Sequence, residues 1–118
     1  MHRTFEQLGV TVGGIAYGEF TGEAQFDVTG SVVQIDVEDQ NYDSSHLTLD
    51  IEELVRERIR LRRKWGSGFL EEGSREVVTH NRKFVLFQAL AETIEATFAE
   101  DICQYVDDTR RVRWSAQG

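Results

Sequence analysis

The chain has 118 residues, of which 40% are hydrophobic and 29% charged, with a formal net charge of −8 and one cysteine. That length suits a single domain burying roughly two thirds of its unfolded surface, and the composition excludes a disordered tail. Lone Cys103 excludes an internal disulfide, and no apolar run approaches the ~20 residues that span a bilayer. The opening Met1-His2-Arg3-Thr4-Phe5 has no apolar signal core, so the cytoplasm, of a bacterium or of a phage-infected host cell, is the expected compartment.

The first third reads as an antiparallel β-meander over residues 1–38, of three to four strands. Turn signals stand at Gly13-Gly14, Thr21-Gly22 and Gly30-Ser31, and the last two suggest consecutive hairpins. A two-residue turn at Gly30-Ser31 would set Val28 opposite Val33, Phe26 opposite Ile35 and Ala24 opposite Val37. Phe26, Val28, Val33 and Ile35 then point to the core, with Ile15 and Tyr17 on the same face, while Asp27 and Asp36 face water. Val10 and Val12 add a short edge strand, and the polar stretch from Asp39 to His46 closes the sheet.

A helix over 50–65 follows. Asp50 is placed as its N-cap with Glu53 three residues on, Leu49 and Leu54 have hydrophobic-staple spacing, and Gly66-Ser67-Gly68 stops it. Ile51, Leu54, Val55, Ile59, Leu61 and Trp65 fall on one broad arc. Residues 69–80 fit either a short strand or the first turn of the next helix. The strongest helical pattern runs over 81–106, where Phe84, Phe87, Ala91, Ile94, Phe98, Ile102 and Tyr105 share a face. That face suits packing on the sheet, and its far end suits pairing with a second copy of the chain. A basic tail, 107–118, ends in Arg110-Arg111-Val112-Arg113. The whole is an α+β fold: a meander followed by two helices packed on one sheet face.

Charge is segregated along the chain. From Thr4 to Val55 there are eleven acidic residues and no Lys or Arg; from Arg56 to Lys64 there are six basic residues and one acidic. Arg56, Arg58, Arg60, Arg62, Arg63 and Lys64 are therefore the candidate anion- or partner-binding residues. They are spread round the helix rather than gathered on one side, and the acidic whole repels a polyanion at range, so a solvated surface is the simpler account. Arg58 and Arg62 differ from the rest because they fall near the centre of the apolar arc, where a charge must be paired or must reach past the core to water. Carboxylates between Glu6 and Asp50 are the expected partners of at least one of them.

The segment Asp39 to Asp50 resembles the calcium loop of EF-hands and dockerins, with Asp39, Asn41 and Asp43 at positions one, three and five and Asp50 at twelve. Ser44 replaces the usual glycine of the sharp turn and His46 stands where an aliphatic residue packs. No bound metal and no other cofactor is expected. No nucleophile–base set is visible: Ser44, Ser45 and His46 are sequence neighbours, His2, His46 and His80 are scattered, and Cys103 lies among acidic residues.

In overall form, a glycine-punctuated meander from Val10 to Glu38 running into the helix from Asp50 to Lys64, the chain resembles the small acidic accessory proteins of bacteriophage genomes, some of which inhibit host defence systems. The resemblance implies a stoichiometric binder and not an enzyme; with the segregated charge it makes a non-enzymatic protein-binding module with a protein partner the expected function, and the lack of a spanning apolar run makes a membrane partner unexpected. The alternatives are a nucleic-acid or nucleotide binder using the helix 56–64, and a small metal-binding protein using the loop 39–50.

Overall fold

The alternation of apolar and polar residues produces a four-stranded antiparallel sheet in simple meander order, followed by helices that cover one face. The computed structural model describes residues 1–38, 46–71 and 73–117, with the side chains of residue 70 and residues 112–117 left aside. The strands are β1 (His2–Val12), β2 (Ile15–Phe26), β3 (Val32–Glu38) and β4 (His46–Asp50), each paired with its sequence neighbour. Helix α1 (Ile51–Trp65) follows directly; a short 3-10 turn (Phe69–Glu71) leads to α2 (Arg75–Thr97) and α3 (Ala99–Gln117). The α+β class expected from the sequence is the class observed. Among the described residues no helix is long and apolar enough to cross a membrane.

The sheet departs from the expected register in ways that have local causes. Gly13 and Gly14 form the β1–β2 turn, both at positive φ (59° and 80°), which a primed two-residue hairpin turn requires. Thr21-Gly22 is not a turn: β2 runs straight through it. Gly22 lies opposite both Phe5 and Val37, and a Cβ there would strike the backbone carbonyl of Asp36, so the glycine permits close approach of strands. The second hairpin turns over three residues, Val28 to Gly30, closed by Asp27 N–H donating to Ser31 O (3.0 Å), with Gly30 at φ 83°. The Asp27 carboxylate accepts from Thr29 N–H (2.9 Å), Thr29 Oγ1 (2.6 Å) and Ser31 N–H (3.1 Å), which fixes this longer turn.

The pairing consequently moves by two residues: Ala24 lies opposite Ile35, not Val37, and Val33 is an extra residue in a bulge. Phe26 and Ile35 are buried as expected, with Val32 in place of Val33. Val28 sits on the turn at 49% exposure and Val33 is half-buried. Asp27 and Asp36 are half-buried rather than fully exposed.

Two further corrections concern the strands. β1 is eleven residues long, not a short edge, and carries a bulge at Glu6-Gln7, where Gln7 adopts φ 48° and its N–H donates to Thr21 Oγ1 (3.0 Å). Only Gly22–Phe26 of β2 pairs with β3, so the β1–β2 tip projects as a two-stranded ribbon. Ile15 (74% exposed) and Tyr17 are on that tip and face solvent, not the core. The sheet also does not end at Asp39: β4 extends it and carries Leu49 into the core.

The helices cover the face lined by Phe5, Val10, Ala24, Phe26, Val32, Ile35, Val37 and Leu49, with Leu54, Leu86, Phe87, Leu90 and Ile94 packed against it. Each large side chain so buried contributes roughly 1.5–3 kcal/mol. The expected single helix over 81–106 is instead two. Its start lies earlier, at Arg75 behind the N-cap Ser74, so Glu76 to Thr79 form the first helical turn. It breaks at Phe98, just after Thr93 Oγ1 donates to Ala89 O (2.9 Å) and Thr97 Oγ1 to Thr93 O (2.7 Å). Threonine hydroxyls competing for the helix's own carbonyls loosen and bend it. α3 then packs Ile102 and Val106 against Gly30, where no side chain would fit, and Arg3 Nε donates to Asp101 Oδ2 (3.2 Å). Residues 107–117 continue α3 where a basic tail was expected.

Candidate functional site

α1 is positioned by its caps. The Asp50 carboxylate accepts from the N–H groups of Glu52 (2.8 Å) and Glu53 (3.3 Å), and Gly66 (φ 85°) ends the helix with its N–H on Arg62 O (2.9 Å). Its inward line is Leu54, the half-buried Arg58 and Leu61, narrower than the expected arc; Val55, Ile59 and Trp65 lie outside it. Leu61 joins Phe69 and Val77 in a small second core that clamps α1 to the start of α2.

The six basic residues of α1 separate into three groups. Arg58 lies inward with its guanidinium carbon 3.9 Å from the centre of the Phe84 ring, and its Nε is buried without a hydrogen-bond partner. Arg60 and Lys64 are held by Glu76 of α2: Arg60 Nη2 to Oε2 at 3.0 Å, Lys64 Nζ to Oε1 at 2.7 Å, with Trp65 Nε1 also donating to Oε1 at 3.0 Å. Arg60 also bonds Glu57 through Nε (3.0 Å). These donors, Lys64 first, hold the Glu76 carboxyl at about 2, and the Arg60 hydrogen bond holds Glu57 below the usual carboxylate range. Arg62 and Arg63 point outward with no ion-pair partner among the described residues, and Arg56 has only a long contact to Glu52 (3.4 Å).

The expected pairing of Arg58 or Arg62 with a carboxylate between Glu6 and Asp50 is therefore not found among the described residues. The centre of the inward line faces α2, not the sheet, so the ring of Phe84 takes the place expected for a carboxylate. Sheet carboxylates act locally: Glu23 meets His2 (2.7 Å) and Asp36 accepts from Thr48 (3.2 Å). The candidate metal ligands Asp39, Asn41 and Asp43 lie outside the described residues, and Asp50 serves as the helix cap. Among the described residues no group of His, Cys, Asp and Glu is placed to hold a metal ion.

Two surfaces flank α1. Outward on α1, Val55 (44% exposed) and Ile59 (47%) stand four residues apart, continuous with Ile51 and flanked by Arg56, Arg62 and Arg63. A shallow groove of about 310 Å³ opens beside Ile51, Glu52, Val55 and Arg56. On the other side, a cleft of about 550 Å³ lies between the end of β4, α1 and the first turns of α2. Asp50, Glu53 and Glu57 line one wall, Arg75, Glu76, Thr79 and Lys83 the other, and His80 and Leu54 the interior. His80 is 3% exposed, and neither ring nitrogen has a hydrogen-bond partner. Burial, the nearby Arg58 charge and Lys83 push its pKa below the ordinary value, against the opposing pull of Glu57, which favours the neutral ring at neutral pH.

Arg75, Glu76, His80 and Lys83 were not singled out by sequence as site residues. His80 does fall on the same three-and-four spacing as Val77, Phe84 and Phe87, which marks it as inward-facing. The clamp that brings α1 to it is a tertiary contact with no sequence signal. No protein-family model, curated protein or solved structure matches the chain.

Proposed function

We propose that the chain is a protein-binding module that acts by stoichiometric occupancy, and that the outward face of α1 is its docking surface. One observation carries this: Val55 and Ile59 form an exposed apolar stripe on a rigid, doubly capped helix, beside Arg62 and Arg63, which no described carboxylate pairs. Apolar anchors beside unpaired arginines are the composition from which protein interfaces draw their affinity. The matching partner is a protein carrying an apolar groove edged by Asp and Glu. A nucleic acid fits less well, because Glu76 holds Arg60 and Lys64 and the remaining cations are too few to offset a chain charge of −8. This action agrees with the phage accessory proteins that the chain resembles in form.

The test is comparative affinity capture from bacterial and phage-infected lysates with wild type and with Val55→Asp/Ile59→Asp. A partner retained by wild type and lost by the variant, at an unchanged unfolding midpoint, is the expected result. Identical capture by both proteins, or retention of nucleic acid that falls steeply with salt, would remove α1's outer face as a protein-docking surface.

A further inference from the structure

We infer that the cleft between α1, α2 and β4 is a binding site for a small zwitterion of the free amino acid class. Three features of the cleft point there. Its volume, about 550 Å³, lies within the range of small-molecule sites. Its two walls differ in free charge: Glu53 stands beside the helix cap Asp50 and the Arg60-bound Glu57 on one side, and Arg75 and Lys83 on the other, where Glu76 is already held by Arg60, Lys64 and Trp65. Neither Arg75 nor Lys83 has an ion pair among the described residues, although acidic side chains line the facing wall. Between the walls lies His80, more than nine-tenths buried, with both ring nitrogens unpartnered.

A buried polar group without a partner costs free energy that folding must absorb elsewhere, and such groups are rare in native proteins. A neutral imidazole offers one N–H and one acceptor nitrogen. Both nitrogens lie beneath the cleft surface, so a ligand relieves that cost by turning the ring towards it and supplying an oxygen to the first or an N–H to the second. Charges of opposite sign on facing walls then select among small ligands. A purely anionic molecule meets Arg75 and Lys83 but also the carboxylates of α1. A purely cationic one meets those carboxylates but also both cations of α2. Only a molecule that carries both charges satisfies both walls. Leu54 on the interior adds an apolar contact. The site is separate from the outward stripe of α1, so Val55→Asp/Ile59→Asp should leave it unchanged.

Calorimetric titration with each common amino acid, alongside its N-acetylated form (anion only) and its amide (cation only), tests this. The imidazole resonances of His80 provide a second readout. We expect at least one amino acid to saturate with a Kd of about 1 mM or tighter, with both single-charge forms weaker by about tenfold. The His80 ring signals should shift in parallel. His80→Phe, which keeps the aromatic contact with Phe84, should weaken binding by about tenfold, as should Arg75→Gln/Lys83→Gln on the exposed wall. Absence of saturable heat with every amino acid would overturn the inference. So would equal binding of the acetylated or amidated form, or undiminished affinity in both variants.

Discussion

Glu76 and His80 stand one helical turn apart on α2, and they are opposites. Glu76, at the rim, accepts from Arg60, Lys64 and Trp65, three donors from the end of α1. His80, deeper in, has the ring of Phe84 beside it and no hydrogen-bond partner at either nitrogen. The same helix, α1, faces both. It meets the rim with long cationic side chains and the interior with Leu54 and Arg58, the latter spent on the Phe84 ring. A rim group keeps access to water and needs little from its partners, whereas a buried imidazole depends on them entirely. The polar group with the most partners is therefore the one whose loss should matter least.

The largest effect is expected from breaking the clamp that brings both residues to α1. Leu61 is fully buried against Phe69 and Val77, and Val77 lies between Glu76 and His80 in sequence. Leu61→Ala should destabilise the fold by about 2–5 kcal/mol. Denaturant unfolding measures it, and a cost under ~1 kcal/mol would mean that the small cluster collapses around the gap.

His80→Phe should act in the opposite direction. Removing two unpartnered buried nitrogens while keeping an aromatic ring should stabilise by about 1–3 kcal/mol at neutral pH. The pH dependence sharpens the contrast. Folding depresses the His80 pKa through burial, helped by Arg58 on α1 and Lys83 on α2 and opposed by Glu57. The unfolded chain therefore binds more protons, and wild-type stability falls as pH drops below the ordinary histidine value of 6.5. The variant should lack this limb. Unfolding midpoints that decline in parallel from pH 7 to 5 would show that His80 is not the group responsible.

Sequence patterning was most informative where one local rule decides the outcome. Asp50 and Gly66 bound α1 as their residue types require, and the spacing from Phe84 to Ile102 marks the inward face of α2 and α3. Patterning failed where a second rule competes. Gly30-Ser31 reads as a two-residue turn, but the Asp27 carboxylate gathers Thr29 and Ser31 into a three-residue one, and the register follows. Thr21-Gly22 reads as a turn because the demand of β3 for space beside Gly22 is not local. Arg58 could be placed on the inward line of α1, but the neighbour across from it depends on how α2 packs, and so does the cleft around His80. The charge division along the sequence suggested a basic helix neutralised by an acidic sheet. Instead Glu52, Glu57 and Glu76, from α1 itself and from α2, supply its described partners.

The smallest effect is expected at the best-connected residue. Glu76→Gln removes the charge that Lys64 and Arg60 share but leaves an acceptor oxygen for Trp65 or Lys64. The site is open to solvent, so both cations regain water when the carboxylate is lost, and the destabilisation at neutral pH should be smaller than either change above. High salt should shrink the difference from wild type further, because screening acts on exposed pairs first. The carboxyl is held at about 2, Lys64 being the leading cause, against an ordinary value of 4.5. Its contribution is thus complete above 4.5 and is lost as pH falls towards 2, a window below that of His80. The Trp65 indole N–H resonance should titrate across this lower window in wild type and stay flat in Glu76→Gln. If it moves instead with His80, between pH 7 and 5, the rim and the interior titrate as one unit and the contrast between them fails.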